Sequence, residues 1–293
     1  MPATPMLDHP LAAGSAPEWA AEWGEDRFGV FAILRIGEAE QKLRFIPPGS
    51  FLMGSPKNEQ GRQDWEQPQH LVKLTEGFWL ADTPCTQELW QEVMGANPSR
   101  FKSPRRPVEL VSWEDVQLFL RRLEERLPSA GTGLPTEEQW EYACRAGTTT
   151  STYAGEIEVL GERNAPLLDG IAWYGGNSGV AFELNNGHDT SDWREMQDEH
   201  KRAGTRIVGL KNPNAWGFFD MLGNVWEWCV DPWREGPVST SGSAEMATYR
   251  VIRGGSWDDF ARSVRAAYRY WYGPSFHLAA LGFRFSLRHP LSR

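Results

Sequence analysis

Asn214-Ala-Trp-Gly-Phe-Phe-Asp-Met-Leu-Gly-Asn-Val-Trp-Glu-Trp-Cys229 is the stretch on which the reading of this chain turns. Gly, Asn and Asp punctuate it, while Trp and Phe recur without the period of a helix or the strict alternation of a strand. The same character runs from Gly147 to Trp233. Such a region folds as turns held by aromatic packing rather than as a succession of long elements. Within it Asp220 and Glu227 stand either side of a Gly-Asn turn, two hard oxygen donors of the kind that calcium takes. A simpler reading pairs Glu227, flanked by Trp226 and Trp228, with a buried arginine.

Upstream the patterns are more regular. Thr136-Glu-Glu-Gln139 is a capping box that starts a helix presenting Trp140, Tyr142 and Ala143 partly to the core. Ser112 caps a longer helix, because Val116, Leu118, Phe119, Leu120, Leu123 and Leu127 recur at helical spacing with charged residues between them. Thr86 caps a third helix over residues 87–94, stopped by Gly95 and Asn97-Pro98. Nearer the N-terminus, residues 28–36 and 41–46 are apolar runs separated by Gly37-Glu-Ala-Glu40, which predicts a β-hairpin, and Pro47-Pro48-Gly49 stops its second strand. Residues 1–18 are expected to be a disordered tail and residues 19–293 a single domain.

Composition sets the outer bounds. With 293 residues, 40% hydrophobic content, 15 Trp and 14 Phe, the chain can bury a sizeable core. A formal net charge of −9 excludes a general nucleic-acid binder. No stretch reaches the roughly 18 consecutive apolar residues that span a bilayer, and no basic, then apolar, leader opens the chain. Cys85, Cys144 and Cys229 lack metal-ligand spacing and cannot all pair, which points to a reducing cytoplasm.

Downstream of the deciding stretch the composition changes. Residues 250–293 contain no Lys, Glu, Gln or Met, and eight Arg stand against only Asp258 and Asp259. A codon ending in pyrimidine can encode every amino acid except Lys, Glu, Gln, Met and Trp. Asparagine codons of that form, randomised at their adenines, can yield every residue now at 258, 259, 260, 263, 268, 270, 272, 273 and 275–280. Trp257 and Trp271 lie outside those positions.

Five segments together resemble the formylglycine-generating enzyme and sulfatase-modifying factor family. They are residues 45–54, 108–113, 134–147, 214–229 and Arg253-Gly-Gly-Ser-Trp257, and the likeness runs over residues 42–288. The resemblance implies an α+β, C-type-lectin-like fold with much irregular structure. The family's oxidase binds copper through two cysteines in the C-terminal segment, and this chain has no cysteine after Cys229. Related iron enzymes hold their metal with histidines of an added helical bundle, for which residues 1–41 are too short. Neither copper nor haem is expected, and the three cysteines read as packing residues. In the family the segment of Asp220 and Glu227 wraps calcium through those two side chains and the carbonyls of Gly223 and Val225, so Ca²⁺ is expected there.

The C-terminal segment looks like that of the variable protein of a diversity-generating retroelement. Arg253–Trp257, Ala261-Arg262, Val264-Arg-Ala-Ala267, Arg269, Trp271, Pro274 and Leu281-Gly-Phe-Arg284 look like scaffold, with a variable region across 251–285. The ligand-binding positions are then Asp258, Asp259, Phe260, Ser263, Tyr268, Tyr270, Tyr272, Gly273, Ser275, Phe276, His277, Leu278, Ala279 and Ala280. Tyr and Phe with Ser, Gly and Asp have the chemistry of a paratope. A surface able to accept such variety is expected to be mostly exposed, over a buried Trp257, Val264, Ala266, Leu281 and Phe283. The partner class is a protein or other macromolecule. The other reading is an enzyme or accessory protein of the same family with an uncharacterised activity, in which Tyr268, Tyr270 and Tyr272 belong to a strand with one packed face.

Overall fold

Alternation of small and branched apolar residues builds the first sheet. In β2 (Gly29–Ile36) the side chains of Val30, Ala32, Leu34 and Ile36 are buried, and β3 (Ala39–Ile46) returns antiparallel across Gly37, whose φ of 58° makes the tight turn. This is the hairpin that the sequence predicts, and it stops at Pro47. The computed structural model describes residues 16–66, 69–128, 130–234 and 248–289. The expected N-terminal tail lies, up to residue 15, outside the described residues. From Trp19 the chain is packed, the Trp19 ring standing edge-on to Trp79 at 5.4 Å.

The first sheet has the order β1-β2-β3-β6-β13, with β1 at Glu22–Asp26, β6 at Phe78–Ala81 and β13 at Ser286–Arg288. Residues near both ends of the domain therefore share one sheet. Between β3 and β6, β4 (Gly49–Met53) and β5 (His70–Leu74) form a separate hairpin. Neither β1 nor this hairpin is legible in the sequence. Glu22-Trp-Gly-Glu-Asp26 is polar and largely solvated, and a long connection replaces the turn signal that would mark β4 and β5 as partners.

Three helices follow their caps. α1 (Gln87–Met94) starts at Thr86 and stops at Gly95, which takes a left-handed φ of 84°. α2 (Trp113–Arg126) opens on a reciprocal Ser112–Asp115 box, and α3 (Glu137–Arg145) on the Thr136–Gln139 box. The first two close over the first sheet, where Trp90 of α1 stacks on Phe119 of α2 with centroids 5.2 Å apart. From Gly147 to Ala203 the chain makes turns, single bridges and the short pair β7 (His188–Asp189) and β8 (Arg202–Ala203).

The second sheet has the order β11-β10-β9-β12, made of β9 (Trp226–Pro232), β10 (Arg250–Arg253), β11 (Arg269–Tyr272) and β12 (Leu281–Gly282). It lies between two cores. Trp228 and Ile252 point into the core shared with α1 and α2, whereas Cys229 and Val251 point into the core around α3 and Trp140. β10 pairs antiparallel with β9 and β11, and β12 runs parallel to β9. The chain thus leaves the sheet after β11 and re-enters it at the far edge, crossing between as residues 273–280.

Candidate binding surface

Four of the eight arginines of the C-terminal segment lie inside the molecule. Arg253, Arg265, Arg269 and Arg284 are all buried, and each meets a carboxylate from earlier in the chain. Arg253 reaches Glu141 of α3 and also donates to the carbonyls of Ala266 (2.8 Å), Ala267 (3.1 Å) and Tyr268 (3.0 Å). Arg265 grips Glu66 at 2.6 and 3.0 Å and meets Glu59. Arg269 forms a fork with Glu137 at 2.7 and 2.6 Å. Arg284 takes both oxygens of Glu227 at 2.6 and 2.7 Å and donates to Ala81 and Phe219 carbonyls. Removing one member of a buried pair costs about 3–5 kcal/mol, because the other charge is left alone. The segment is therefore held by charges whose side chains need not face solvent.

Alternation along β11 divides its side chains between two jobs. Arg269 and Trp271 face α3, Trp271 stacking on Trp233 at 4.1 Å. Tyr270 and Tyr272, with Tyr268 just before the strand, lie on the other face and rest half-buried at the edge of the first core. Trp226 of β9 sits beneath them, 5.9 Å from Tyr268 and 6.4 Å from Tyr270. Tyr272 continues the row by stacking on Phe276 at 5.2 Å, and Phe276 is 50% exposed. The sequence reading did not single out Trp226, whose place in the row follows from its position on β9.

The remaining expected positions spread around this row. Asp258 and Asp259 lie at its Trp226 end, where Trp226 donates toward Asp259. Phe260 sits apart under the guanidinium of Arg163 at 4.5 Å. Ser275 and His277 are exposed, His277 bonding Asp115 at 2.8 Å. Gly273, Leu278 and Ala279 are half-buried, the carbonyl of Ala279 accepting from Trp257 Nε1 at 2.9 Å. The expectation that these positions are mostly exposed is corrected: Ser275, Phe276 and His277 are exposed, most of the others are half-buried, and two are buried. Ser263 is buried and bonds Tyr268, and Ala280 is buried in a small cluster with Phe101 and Trp257. Burial of Ser263 follows from the helical turn at Ala261–Ser263, and burial of Ala280 from its carbonyl bond to the Trp226 amide at 2.8 Å. The five expected supports, Trp257, Val264, Ala266, Leu281 and Phe283, are buried.

Ser256 ties the two aspartates together. Its Oγ is 2.6 Å from Asp258 Oδ1 and also contacts Asp259 Oδ2. Burial and the adjacent Asp258 push the Asp259 carboxyl up to about 7, and burial raises Asp258 as well. Arg163 and His188 act on Asp258 at longer range.

At the turn of residues 220–227 the side chains are already engaged. Glu227 holds Arg284 and the Trp140 indole N–H at 2.7 Å. Asp220 accepts from the Gly209 amide at 2.7 Å and from Asn224, and burial pushes its carboxyl up to about 6. Glu227 thus realises the simpler reading, a buried arginine partner. A calcium ion would compete with Arg284 for one carboxylate, so Glu227 fits the ion only if Arg284 lets go. The copper site of the family finds no donors: Cys85, Cys144 and Cys229 are free and fully buried, and burial raises all three thiols.

Two sheets with an irregular middle and a C-terminal loop carried across the second sheet define a C-type-lectin-like domain of the formylglycine-generating type. The sulfatase-modifying factor enzyme 1-like domain matches residues 36–288, and the chain belongs to that family. It is 30% identical over 225 residues to the chaperone protein LppX of Paenibacillus barcinonensis, covering 65% of this chain and 73% of that one. It is 30% identical to the formylglycine-generating enzyme of Thermomonospora curvata, over 72% of this chain and 64% of the enzyme, so it spans less than two thirds of that relative. Among solved structures it is similar to Treponema denticola variable protein 1, with a TM-score of 0.67 and 26% identity over 88% of this chain and 99% of that one.

Proposed function

We propose that this protein is a non-catalytic binder that displays a retroelement-diversified surface from residues 258–280 on its lectin-like scaffold. The observation that carries this is the division of labour along the segment. Arg253, Arg265, Arg269 and Arg284 are locked to Glu59, Glu66, Glu137, Glu141 and Glu227, while Ser275, Phe276 and His277 are exposed and most of the other proposed positions are half-buried. A segment anchored in that way tolerates exchange of its outward side chains. The missing Lys, Glu, Gln and Met, and the likeness to a variable protein, support the same reading. Aromatic residues at the centre of the row are the usual energetic anchors of a protein interface. The three buried free thiols support a cytoplasmic location. Among the described residues no helix is long and apolar enough to cross a membrane.

The DNA beside the gene tests the class directly. A near-copy of the 3′ end that differs only at adenines, next to a reverse-transcriptase gene, is expected. A locus without such a repeat sinks the diversification claim and returns the chain to the family's undefined activities. Calcium at Asp220, Gly223, Val225 and Glu227 is a separate proposal, supported by the family resemblance, and it requires Arg284 to yield Glu227.

A further inference from the structure

Deep in this molecule carboxylates are matched with resident arginines: Glu59 and Glu66 with Arg265, Glu137 with Arg269, Glu141 with Arg253 and Arg145, and Glu227 with Arg284. Asp82, Glu109 and Asp220 are buried with no ion pair among the described residues, each held by amide N–H groups, whereas Asp258 and Asp259 stand side by side. Among the described residues, no Lys, Arg or His is ion-paired with either, and their shared neighbour is the Ser256 hydroxyl. A hydroxyl has one hydrogen, so it satisfies one of the two oxygens. The second contact needs a proton held between the carboxyls, and without it two like charges face each other in a half-buried site. Trp226 bonds Asp259, and Tyr268, Tyr270 and Tyr272 continue the row from it. At the far end of the row Glu114 is exposed and Asp115 is paired with His277, so that flank is acidic too.

We propose that this surface recognises a cationic side chain, a lysine or arginine of a protein partner, whose head takes the place of the proton between Asp258 and Asp259 while its stem lies along the tyrosine row. The inference rests on the binding-surface reading and names the chemistry of its occupant. Aromatic faces attract a cation through their quadrupole, and the attraction grows as water is excluded. Charge-assisted bonds to two carboxylates add orientation as well as energy. An anion finds no such fit, since the Arg163 guanidinium is engaged over the Phe260 and Trp193 rings at 4.5 and 4.6 Å. Arg262 is exposed, its guanidinium lies 5.5 Å from the Phe260 ring, and its charge also reaches Tyr268.

The test titrates the full chain with argininamide, lysinamide and the neutral isostere citrullinamide, followed by amide NMR shifts. Saturable shifts at residues 256–259 and 268–272 are expected with both cations, with citrullinamide at least tenfold weaker. Asp258→Asn with Asp259→Asn, confirmed folded by circular dichroism, is expected to weaken both cations at least tenfold. Equal binding of citrullinamide, an unchanged double variant, or no saturable shift up to the solubility limit overturns the proposal. A random-peptide display run separates this from the parent reading. Enriched peptides that need Tyr270, lost on Tyr270→Ser, and that carry Lys or Arg support both. Enriched peptides that need Tyr270 but lack a basic residue overturn the cation and leave the binding surface standing. Failure to enrich any peptide, with the cations still bound at Asp258 and Asp259, counts against the parent reading alone.

Discussion

Asp259 has a carboxyl that keeps its proton in the folded chain up to about 7, because burial and Asp258 both oppose its charge. In the unfolded chain the same group ionises near 4, so between those values the folded state binds more protons. The stability this confers is present below the unfolded value and is lost as pH rises through the folded one, by about 1.4 kcal/mol per pH unit. Asp259→Asn should remove that slope. In urea unfolding the variant is expected to exceed the parent at about pH 8 and to lose that advantage toward about pH 5; parallel curves would show that no proton is held there. Glu227 supplies a second test at this scale. A metal that binds only the folded state raises its stability. If calcium displaces Arg284, chelation lowers the melting temperature and Glu227→Gln abolishes the difference. Coincident curves with calcium and with chelator leave Glu227 to Arg284.

β11 is the element in which packing and display are hardest to separate. Its tyrosines belong to the positions expected to be mostly exposed, and they are half-buried on Trp226 instead. Replacing Tyr268, Tyr270, Tyr272 and Phe276 together by Ser is therefore expected to cost roughly 2–4 kcal/mol while leaving the fold intact, and to remove ligand binding. Arg269→Ala, one residue on the other face, is expected to cost as much alone, since it strands Glu137. Thermal melts and near-ultraviolet circular dichroism distinguish the two; a quadruple variant that fails to fold means the row is core. The same element shows what sequence can reveal. Capping residues are local, so α1, α2 and α3 are legible at Thr86, Ser112 and Thr136 almost to the residue. The Arg269–Glu137 pairing joins residues far apart in sequence, and its trace in composition is a basic tail on an acidic chain. The position of Trp226 beneath the tyrosines depends on the sheet order, which no local pattern carries.

For the molecule as a whole, the absent C-terminal cysteines and the buried state of the other three remove the thiolate pair that the family's oxidase uses. Incubation with a cysteine-containing sulfatase-type peptide, with or without copper, is expected to leave the peptide mass unchanged, and aldehyde formation that depends on this protein would restore the enzyme reading. The placement of β13 beside β6 has a consequence for inheritance. Residues 281–288 supply Phe283, Phe285 and Leu287 to the core and Arg284 to Glu227, all translated after the proposed variable positions. Stop codons end in purine, so changing adenines in codons that end in pyrimidine cannot introduce one. An insertion or deletion can, and it would scramble those closing residues, leaving β6 unpaired on one side and Glu227 without its arginine. If the stretch is diversified as proposed, copying errors that break the reading frame are discarded at folding, and the variants that survive are those whose frame is intact.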